Sequence, residues 1–545
     1  MSTRAGRRWR LLGIFLLLLA GVALFALDPL LESALRKVAA SLEGGGQRVE
    51  FADVDVDLFG GGLRLEGLSI EPKDTTNVAD SASYFTLQAE VVDLEDVEMW
   101  ELLTKQVLRA HAFVIHAPSM RHSFATHKGG RVSPAGTKEK GSKAPASTLP
   151  AIRIDSLLIS GAAMSSVDRA GVRPSVTVAG MDLLVKDVSL QVGVDNKPVL
   201  GRSEVRLDLR GIAADLPPLY RFTIDSLRTR YPVVTTQVYG MGLTPTVGPK
   251  EYHTKVEHST DLMGVHADSL SLSGFSLLDQ VQEGAYRAEA VLLYGGIFEI
   301  HHDKSIPDGP YKRKPLPSEA LRALAVTISI DTVRAQHCEV RYSERNTRAD
   351  EYGTLAFTDV DALLTGLSNA PDSAPADLHV QGSARIAGKA PASLDIRMPM
   401  GAGDPTVEIH AHVEDLSASL LNRMTDNLVN VNATAGRIHR MDMDMYGDDT
   451  GARGTMDMRY TDLHMELNNS VQHAGLFSKV ANMVVRTNNM PHEKGYRKGY
   501  FTVQRKQDSS VFNYLWLCLK AGAMEVVLPN SVKKGMEKLG KKGKK

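Results

Sequence analysis

The stretch VEFADVDVDLFGGGLRLEGLSI, residues 49–70, alternates apolar and polar residues on both sides of three glycines. Because successive side chains of a strand point to opposite faces, this pattern predicts a β-hairpin with one apolar face and one wet face. Its alternating aspartates are Asp53, Asp55 and Asp57. They lack the glycine and the closing glutamate of a calcium loop, so we interpret them as solvent-facing strand positions.

A short motif recurs along the rest of the chain: alternating apolar residues, then Asp, then Ser or Thr, then Leu or Val. It occurs as IRIDSLLISG from Ile152, FTIDSLRTR from Phe222, VHADSLSLSG from Val265 and ISIDTVRAQ from Ile328. The apolar phase shifts at the Asp, which a bulge or a sharp coil in the strand explains. The spacing of the copies is irregular, so the motif indicates a strand type reused along one sheet and not a strict solenoid repeat.

The N-terminal segment predicts export of this β-rich body. Residues 11–27 are uncharged and almost wholly apolar, and four arginines lie within the ten residues before them. Such a segment is at the short end of what spans a bilayer, and the arginines favour a cytoplasmic N-terminus. A helix with Asp28 as its N-cap is predicted to follow directly, which favours an uncleaved anchor. A cleaved signal peptide is the alternative, with small residues at Gly21 and Ala23, and it exports the body equally.

Composition excludes several classes of protein. The formal net charge is −1, so no global field favours nucleic acid. Cys338 and Cys518 are the two cysteines and stand far apart, which excludes a disulfide framework and a zinc ribbon. They could pair in an oxidising compartment, but we favour burial as small apolar side chains.

Two stretches rich in Lys, Gly and Pro predict linkers, and helices are predicted near Met99, Ser318, Asp415, Gly475 and Val511. The predicted organisation is a basic tip and transmembrane anchor (1–27), a helix and first β portion (28–127), a flexible linker (128–150), a second β portion (151–302), a Pro-rich linker (303–318), a C-terminal β portion (319–510), and an apolar segment with a Lys-rich tail (511–545).

Three passages resemble the AsmA-like family of Gram-negative envelope proteins, which includes TamB and YhdP. They are the anchor with the 49–70 hairpin, then VDLEDVEMWELLTKQVLRAHAFVIHAPSMRH, and the C-terminal block from ASLDIRMPM through GTMDMRYTDLHMEL to KGYFTVQRKQDSSVFNYLWLCLKAGAMEVVL. The resemblance implies a long, curved, groove-like antiparallel β-sheet with an apolar inner surface. It also implies an inner-membrane anchor, a periplasmic body, and a role in outer-membrane biogenesis and phospholipid movement.

Methionines alternate on two strands of the C-terminal block and continue on a third segment. They are Met441, Met443, Met445, Met456, Met458 and Met465. Because methionine is flexible and polarisable, this face is a candidate for contact with lipid acyl chains. The other interpretation, which we favour slightly, is a Met-rich core under the helix from Asp415.

The end of the chain is basic. Lys541, Lys542, Lys544 and Lys545 are candidates for contact with anionic headgroups, and a solvated, disordered end is an equal alternative.

Catalytic signatures are missing from the sequence. No GxSxG, HExxH, P-loop or dinucleotide fingerprint occurs, so we predict no enzyme, no cofactor and no metal site. His410 and His412 share a strand face, and we interpret them as solvent-facing. Two functions remain: transfer of phospholipid along the apolar face, or a structural assembly factor that docks an outer-membrane partner without moving lipid.

Overall fold

Strands make up most of the part of the chain that the structure describes, and helices are few and short. A computed structural model describes residues 47–57, 61–72, 84–98, 101, 107–124, 151–169, 174–192, 198–252, 254–275, 285–346, 351–370, 377–401, 405–429, 431–467 and 485–530. The chain forms two compact units, Met1–Tyr239 and Gly240–Lys545. The predicted mainly β fold with short helices is confirmed.

The N-terminal unit contains a mixed sheet of parallel and antiparallel strands. Its strands are β1 (Gln47–Glu50), β2 (Asp53–Asp57), β3 (Gly62–Pro72), β4 (Tyr84–Glu95), β5 (Val107–His116), β6 (Ser119–Phe124), β7 (Ala151–Asp168), β8 (Ser175–Val192), β9 (Pro198–Gly201), β10 (Glu204–Leu216) and β11 (Tyr220–Tyr231). A twelfth strand, β12 (Thr235–Pro245), spans the division between the units.

Whereas β1 pairs with β3, β5 with β7 and β8 with β10 in the N-terminal unit, each strand of the C-terminal unit pairs with the next in the chain. They are β13 (Leu262–Ser273), β14 (Ala285–Asp303), β15 (Thr327–Arg345), β16 (Gly353–Ser368), β17 (Leu378–Ile386), β18 (Ala390–Met398), β19 (Thr406–Ser417), β20 (Val431–Asp448), β21 (Gly451–Leu467) and β22 (Gly499–Gln504).

The helices described over their full length all lie in the C-terminal unit. They are α1 (Pro249–Tyr252), α2 (Pro317–Arg322), a 3₁₀ turn (Ala418–Leu421), α3 (Asn422–Val429) and α4 (Val511–Val527). The helices predicted near Ser318 and Val511 are therefore confirmed. The helix predicted from Asp415 starts later, because Asp415 still belongs to β19 and has a left-handed φ of 54°. The helices predicted near Met99 and Gly475 fall outside the described ranges, apart from a helical Glu101.

The prediction of a purely antiparallel sheet is wrong at two places. β5 and β6 run parallel to β7, and β14 runs parallel to β15. Parallel neighbours need a crossover of a dozen or more residues, whereas antiparallel ones need only a turn. The predicted linker 128–150 lies between β6 and β7, outside the described ranges, and the predicted linker 303–318 begins at Asp303, the last residue of β14. Each parallel pair is therefore joined through a connection that includes a stretch of linker composition.

The recurring Asp motif has a consistent partner on the neighbouring antiparallel strand. In all four copies the Asp lies opposite a residue with positive φ, without any extra residue in the register. The pairs are Asp155 with Asp187 (φ 53°), Asp225 with Gly211 (φ 60°), Asp268 with Gly295 (φ 65°), and Asp331 with Gly366 (φ 74°).

This pairing explains the shift in apolar phase. Ile154 and Leu157, on either side of Asp155, have opposite parity in the sequence but pack in the same apolar cluster. The left-handed residue changes the local backbone direction at the pair. The side chains that follow therefore keep their apolar members on one side of the sheet. The predicted bulge is not found at this Asp, and the alternative of a sharp coil describes the pairing better.

The predicted anchor at residues 11–27 lies outside the described ranges. Among the helices within those ranges, none has the length and apolar character needed to cross a membrane.

Candidate functional site: an apolar strip across the strands

One row of directly paired residues crosses the whole sheet of the C-terminal unit. Each member is the Cα partner of the next: Leu272, Val291, Val333, Leu364, Val380, Ile396, Ile409, Met445, Gly454 and Phe501. Directly opposite side chains share a face, with Cβ atoms about 5 Å apart. The row is therefore a continuous apolar line from β13 to β22, perpendicular to the strands.

A second row runs beside the first on the same face, two residues further along each strand. Its members are Leu270, Leu293, Ala335, Ala362, Gly382, Leu394, Ala411, Met443, Met456 and Gly499. We call the two rows together the apolar strip. Its members carry no charged or hydrogen-bonding side chain.

Exposure differs along the apolar strip. At β19–β22, which we call the closed end, Ile409, Met445 and Phe501 are 2%, 3% and 5% exposed. At β13–β18, which we call the open part, most members are half-buried, and Leu394 is 36% exposed. The strip is therefore sealed from solvent at one end and accessible along the rest.

Helix α4 covers the closed end. It begins at Val511, where the Ser510 hydroxyl accepts a hydrogen bond from the backbone N–H of Asn513 at 3.3 Å. Gly522 lets the helix approach the strip closely, because a Cβ there would lie 2.9 Å from Met456 Cε. The result is a tightly packed core of methionine and aliphatic side chains.

The six predicted methionines all belong to this core. Met443, Met445, Met456 and Met458 are buried, and Met441 and Met465 pack against them half-buried. The helix over β20–β22 is α4 and not the helix after Asp415, since α3 packs mainly on β15, β16 and β20. Contact of the six methionines with lipid stays a prediction. The predicted headgroup contacts Lys541, Lys542, Lys544 and Lys545 lie outside the described ranges.

A polar lock fixes the closed end, and no sequence pattern predicts it. Asp449, in the β20–β21 turn, forms an ion pair with the fully buried Arg505 and another with Arg313 at 3.0 Å. Gln507 donates to the same carboxylate at 2.8 Å. These contacts tie the predicted linker 303–318 to the strand and loop that lead into α4.

The opposite face of the same strands is polar. His410 pairs with Asp444 at 2.6 Å and His412 with Asp442 at 2.7 Å, across β19 and β20. Hydrogen bonding to Asp442 and Glu414 raises the pKa of His412 above its usual value. The histidines share a wet face as predicted, and within the described residues no group of three or more possible metal ligands occurs.

A shallow cavity of about 560 Å³ lies on this polar face. Its polar lining includes Arg334, Gln381, Asp395, His410 and His412. The pKa of Asp395 is lowered by hydrogen bonds from Gln381 and His379. The cavity therefore belongs to the ion-paired side of the sheet, and the apolar strip lies on the other side.

The N-terminal unit carries an apolar strip of its own. One row of Cα partners is Leu63, Leu94, Phe113, Leu157, Val185, Val205 and Tyr231, and its neighbour is Leu65, Val92, Ile115, Ile159, Leu183, Leu207 and Thr229. The reverse face carries ion pairs such as Arg230–Asp208 at 3.0 Å. The aspartates of the first hairpin, Asp53, Asp55 and Asp57, are exposed as predicted.

Comparison of the sequence with models of protein families and with curated proteins finds no match.

Proposed function

We propose that this chain is a membrane-anchored, AsmA-like periplasmic protein of outer-membrane biogenesis or homeostasis, which carries phospholipid along its apolar strips. The observation that carries the proposal is the unbroken apolar row from Leu272 to Phe501. A sheet that only needed a core would not require apolar partners on every strand of a face left partly open to solvent.

The chemistry of the strip suits an acyl chain. Each methylene that leaves water contributes about 0.8 kcal/mol, whatever its position along an apolar row. The small side chains of Ala335, Ala362 and Gly382 leave room above the second row in the open part. Because no polar group of the strip fixes the ligand, a chain gains affinity without a preferred resting point and can exchange along the row.

A second function, the assembly factor that moves no lipid, is favoured by the closed end. There the strip is filled by the chain's own side chains, with Met456 0% exposed beneath Gly522 of α4. If the open part is likewise covered by a protein partner, the strip is a docking face and not a conduit.

A matched pair of surface substitutions tests the proposal. Leu394 lies on the apolar strip and is 36% exposed, whereas Leu292 lies on the opposite face and is 38% exposed. Full-length protein is incubated with vesicles that contain a phospholipid with a photoactivatable acyl chain, and the lipid crosslinked to each protein is quantified by mass spectrometry. We expect Leu394→Asp to reduce the crosslinked lipid at least fivefold, because a carboxylate on the strip must be desolvated by a passing chain.

Leu292→Asp is the control and is expected to crosslink as the wild type does. Thermal melting of both variants checks that the fold is kept. Equal crosslinking of the two variants, or crosslinks confined to the polar face, would refute the conduit. Absence of crosslinked lipid in the wild type would leave the assembly factor as the better proposal.

A further inference from the structure

A short segment of the C-terminal unit crosses the level of the apolar strip. We call residues 307–313, which are all exposed, the strap. Along the strand direction the strap starts below the strip, because it follows Asp303 at the end of β14, well beyond Leu293 of the strip. It ends above the strip, because the backbone N–H of Lys314 donates to the carbonyl of Gln507, past the end of β22, at 2.7 Å.

The strap passes on the apolar side of the sheet. Just after it, Leu316 is 1% exposed and packs in the same core as Leu378 and Met398, which pair with each other on the face of the strip. In a flat sheet the ends of β14 and β22 would be about 60 Å apart, given the usual strand spacing and rise per residue. The chain from Asp303 to Lys314 can span only about 40 Å. The sheet therefore curls towards its apolar face, and the strap bridges the concave side.

Both ends of the strap are held by buried groups. Below it, Asp303 is 1% exposed and accepts a hydrogen bond from Arg345 at 2.7 Å, and Ile306 is 7% exposed. Above it, the fully buried side chain of Arg505 donates to the carbonyl of Lys314 at 2.6 Å. These contacts lie outside residues 307–313, so movement of the strap does not break them.

The ion pairs of the strap itself are closer to solvent. The Arg313 side chain is 39% exposed and binds Glu319 at 2.7 Å and Asp449 at 3.0 Å. Because Asp449 also pairs with Arg505, it keeps a partner when Arg313 leaves. Partly exposed ion pairs add little to stability, so release of the strap leaves the closed end intact.

The strap crosses the strip without packing into it. Its sequence, PDGPYKR, contains no aliphatic side chain. Tyr311 is 67% exposed, and its hydroxyl donates to the Gln507 side chain at 3.1 Å. Lifting the strap therefore removes polar contacts and uncovers no apolar core of its own.

We propose that the strap lifts from the apolar strip to admit a ligand with an acyl chain, while both of its ends stay in place. The closed strap slows the access of such a chain to the half-buried residues beneath it, and the lifted strap allows access. The inference rests on the proposed function only for the identity of the ligand.

A reversible lock tests the proposal. A Cβ atom on Gly309 would lie 3.2 Å from the Cβ of His258, near the about 3.5–4.5 Å that separates disulfide-bonded cysteines. Gly309→Cys with His258→Cys should therefore form a disulfide that pins the strap. Full-length protein in nanodiscs is exposed briefly to a photoactivatable fatty acid, and crosslinks in β16–β19 are quantified by mass spectrometry. We expect the oxidised variant to crosslink at least threefold more slowly than the wild type, and dithiothreitol to restore the rate.

A release variant should have the opposite effect. In Arg313→Lys with Tyr311→Phe the charge is kept, but the lysine cannot replace the guanidinium fork, and the hydroxyl contact is lost. Crosslinking should be at least threefold faster. Trypsin should also cleave the strap at least fivefold faster without ligand, since residues 312–314 stay basic in both proteins. Arg440→Lys with Tyr446→Phe makes the same changes on the polar face and should behave as the wild type does.

Several results would overturn the inference. They are a wild type that takes up no fatty acid, an oxidised lock that crosslinks at the wild-type rate, or single-cysteine variants that reproduce its effect. A release variant that trypsin cleaves faster but that takes up fatty acid no faster would show a strap that moves without controlling access. Failure of the proposed function is a separate result, in which fatty acid enters under control of the strap while phospholipid from vesicles does not crosslink.

Discussion

The closed end and the open part of the apolar strip have the same residue chemistry but different surroundings. At the closed end, α4 covers the rows with Tyr514, Cys518 and Val526, and the polar lock holds the start of the helix. In the open part, the paired residues Val333, Leu364 and Val380 are half-buried, although their row is just as apolar.

The difference shows that apolar alternation alone does not distinguish a core from an accessible apolar surface. A core differs from an accessible surface in whether a second layer covers the apolar face. Here that layer is α4, which lies more than a hundred residues after β15 and β16 in the chain. The closed end is therefore packed as a core, while the open part is accessible to solvent.

The largest effect is expected from breaking the polar lock. Asp449→Ala leaves the buried guanidinium of Arg505 without its carboxylate, and such a loss costs about 3–5 kcal/mol. The free energy of unfolding from urea denaturation measures it. Asp444→Ala removes the exposed pair with His410 and should cost under about 1 kcal/mol. Equal losses in the two variants would mean that the lock does not hold the closed end.

A smaller effect is expected from truncating the strip itself. Met456→Ala in the closed end should cost about 2–5 kcal/mol, whereas Leu364→Ala in the half-buried open part should cost about 1 kcal/mol. The two native thiols report where the protein opens, since Cys518 is in α4 and Cys338 is in β15, and both are buried.

The labelling rates of these thiols refine the comparison. Burial raises the pKa of Cys518 to about 12 and raises that of Cys338 as well, so both should react slowly in the native protein. Met456→Ala should accelerate labelling of Cys518 and leave Cys338 little changed. Acceleration of both thiols alike would show that the two regions open as one.

The smallest expected effect is a pH dependence of the unfolding free energy, caused by the His412–Asp442 pair on the polar face. Because the folded pKa of His412 is raised, its pairing with Asp442 stabilises the fold fully below the ordinary imidazole pKa of about 6.5. This contribution is lost as the pH rises through the raised value. Burial would raise the pKa of Asp442, but hydrogen bonds from Arg440 and His412 lower it, so the pair also needs a pH above the acidic range.

Comparing His412→Gln with the wild type should therefore show a difference in unfolding free energy under about 1 kcal/mol, present near pH 5 and gone at alkaline pH. The loss caused by Met456→Ala should not change over the same range, since its contacts are apolar. A pH-independent His412→Gln difference would contradict the assignment.

Much of the fold could be predicted from local patterns. Alternation in residues 49–70 predicts paired strands with an exposed aspartate face, and the helix from Val511 is visible as an apolar run. The parallel pairs were missed, because strand direction depends on the connection and not on the strand's own residues. The lengths of the two linkers permit a crossover but do not require one, since the longer connection from β21 to β22 joins antiparallel strands.

The candidate site could be predicted only in part. Alternation correctly placed Met443 and Met456 on one apolar face, but the face that continues through Leu364 and Leu394 depends on register. Register is set by the pairing between strands, so the sequence of a single strand does not determine it. The polar lock around Asp449 was invisible for the same reason, since Arg313 and Arg505 are far from it in the sequence.

The left-handed residues opposite the recurring aspartates have a consequence for misfolding. At Gly295, an L side chain would be strained and its Cβ would collide with the Asp268 carboxylate. A strand straightened there would turn the residues beyond it over, so that aliphatic side chains would emerge on the wet surface. Such a strand would expose apolar side chains on both faces. We therefore expect a single substitution at Gly295 to promote aggregation of the chain, an effect larger than the stability lost with any one contact.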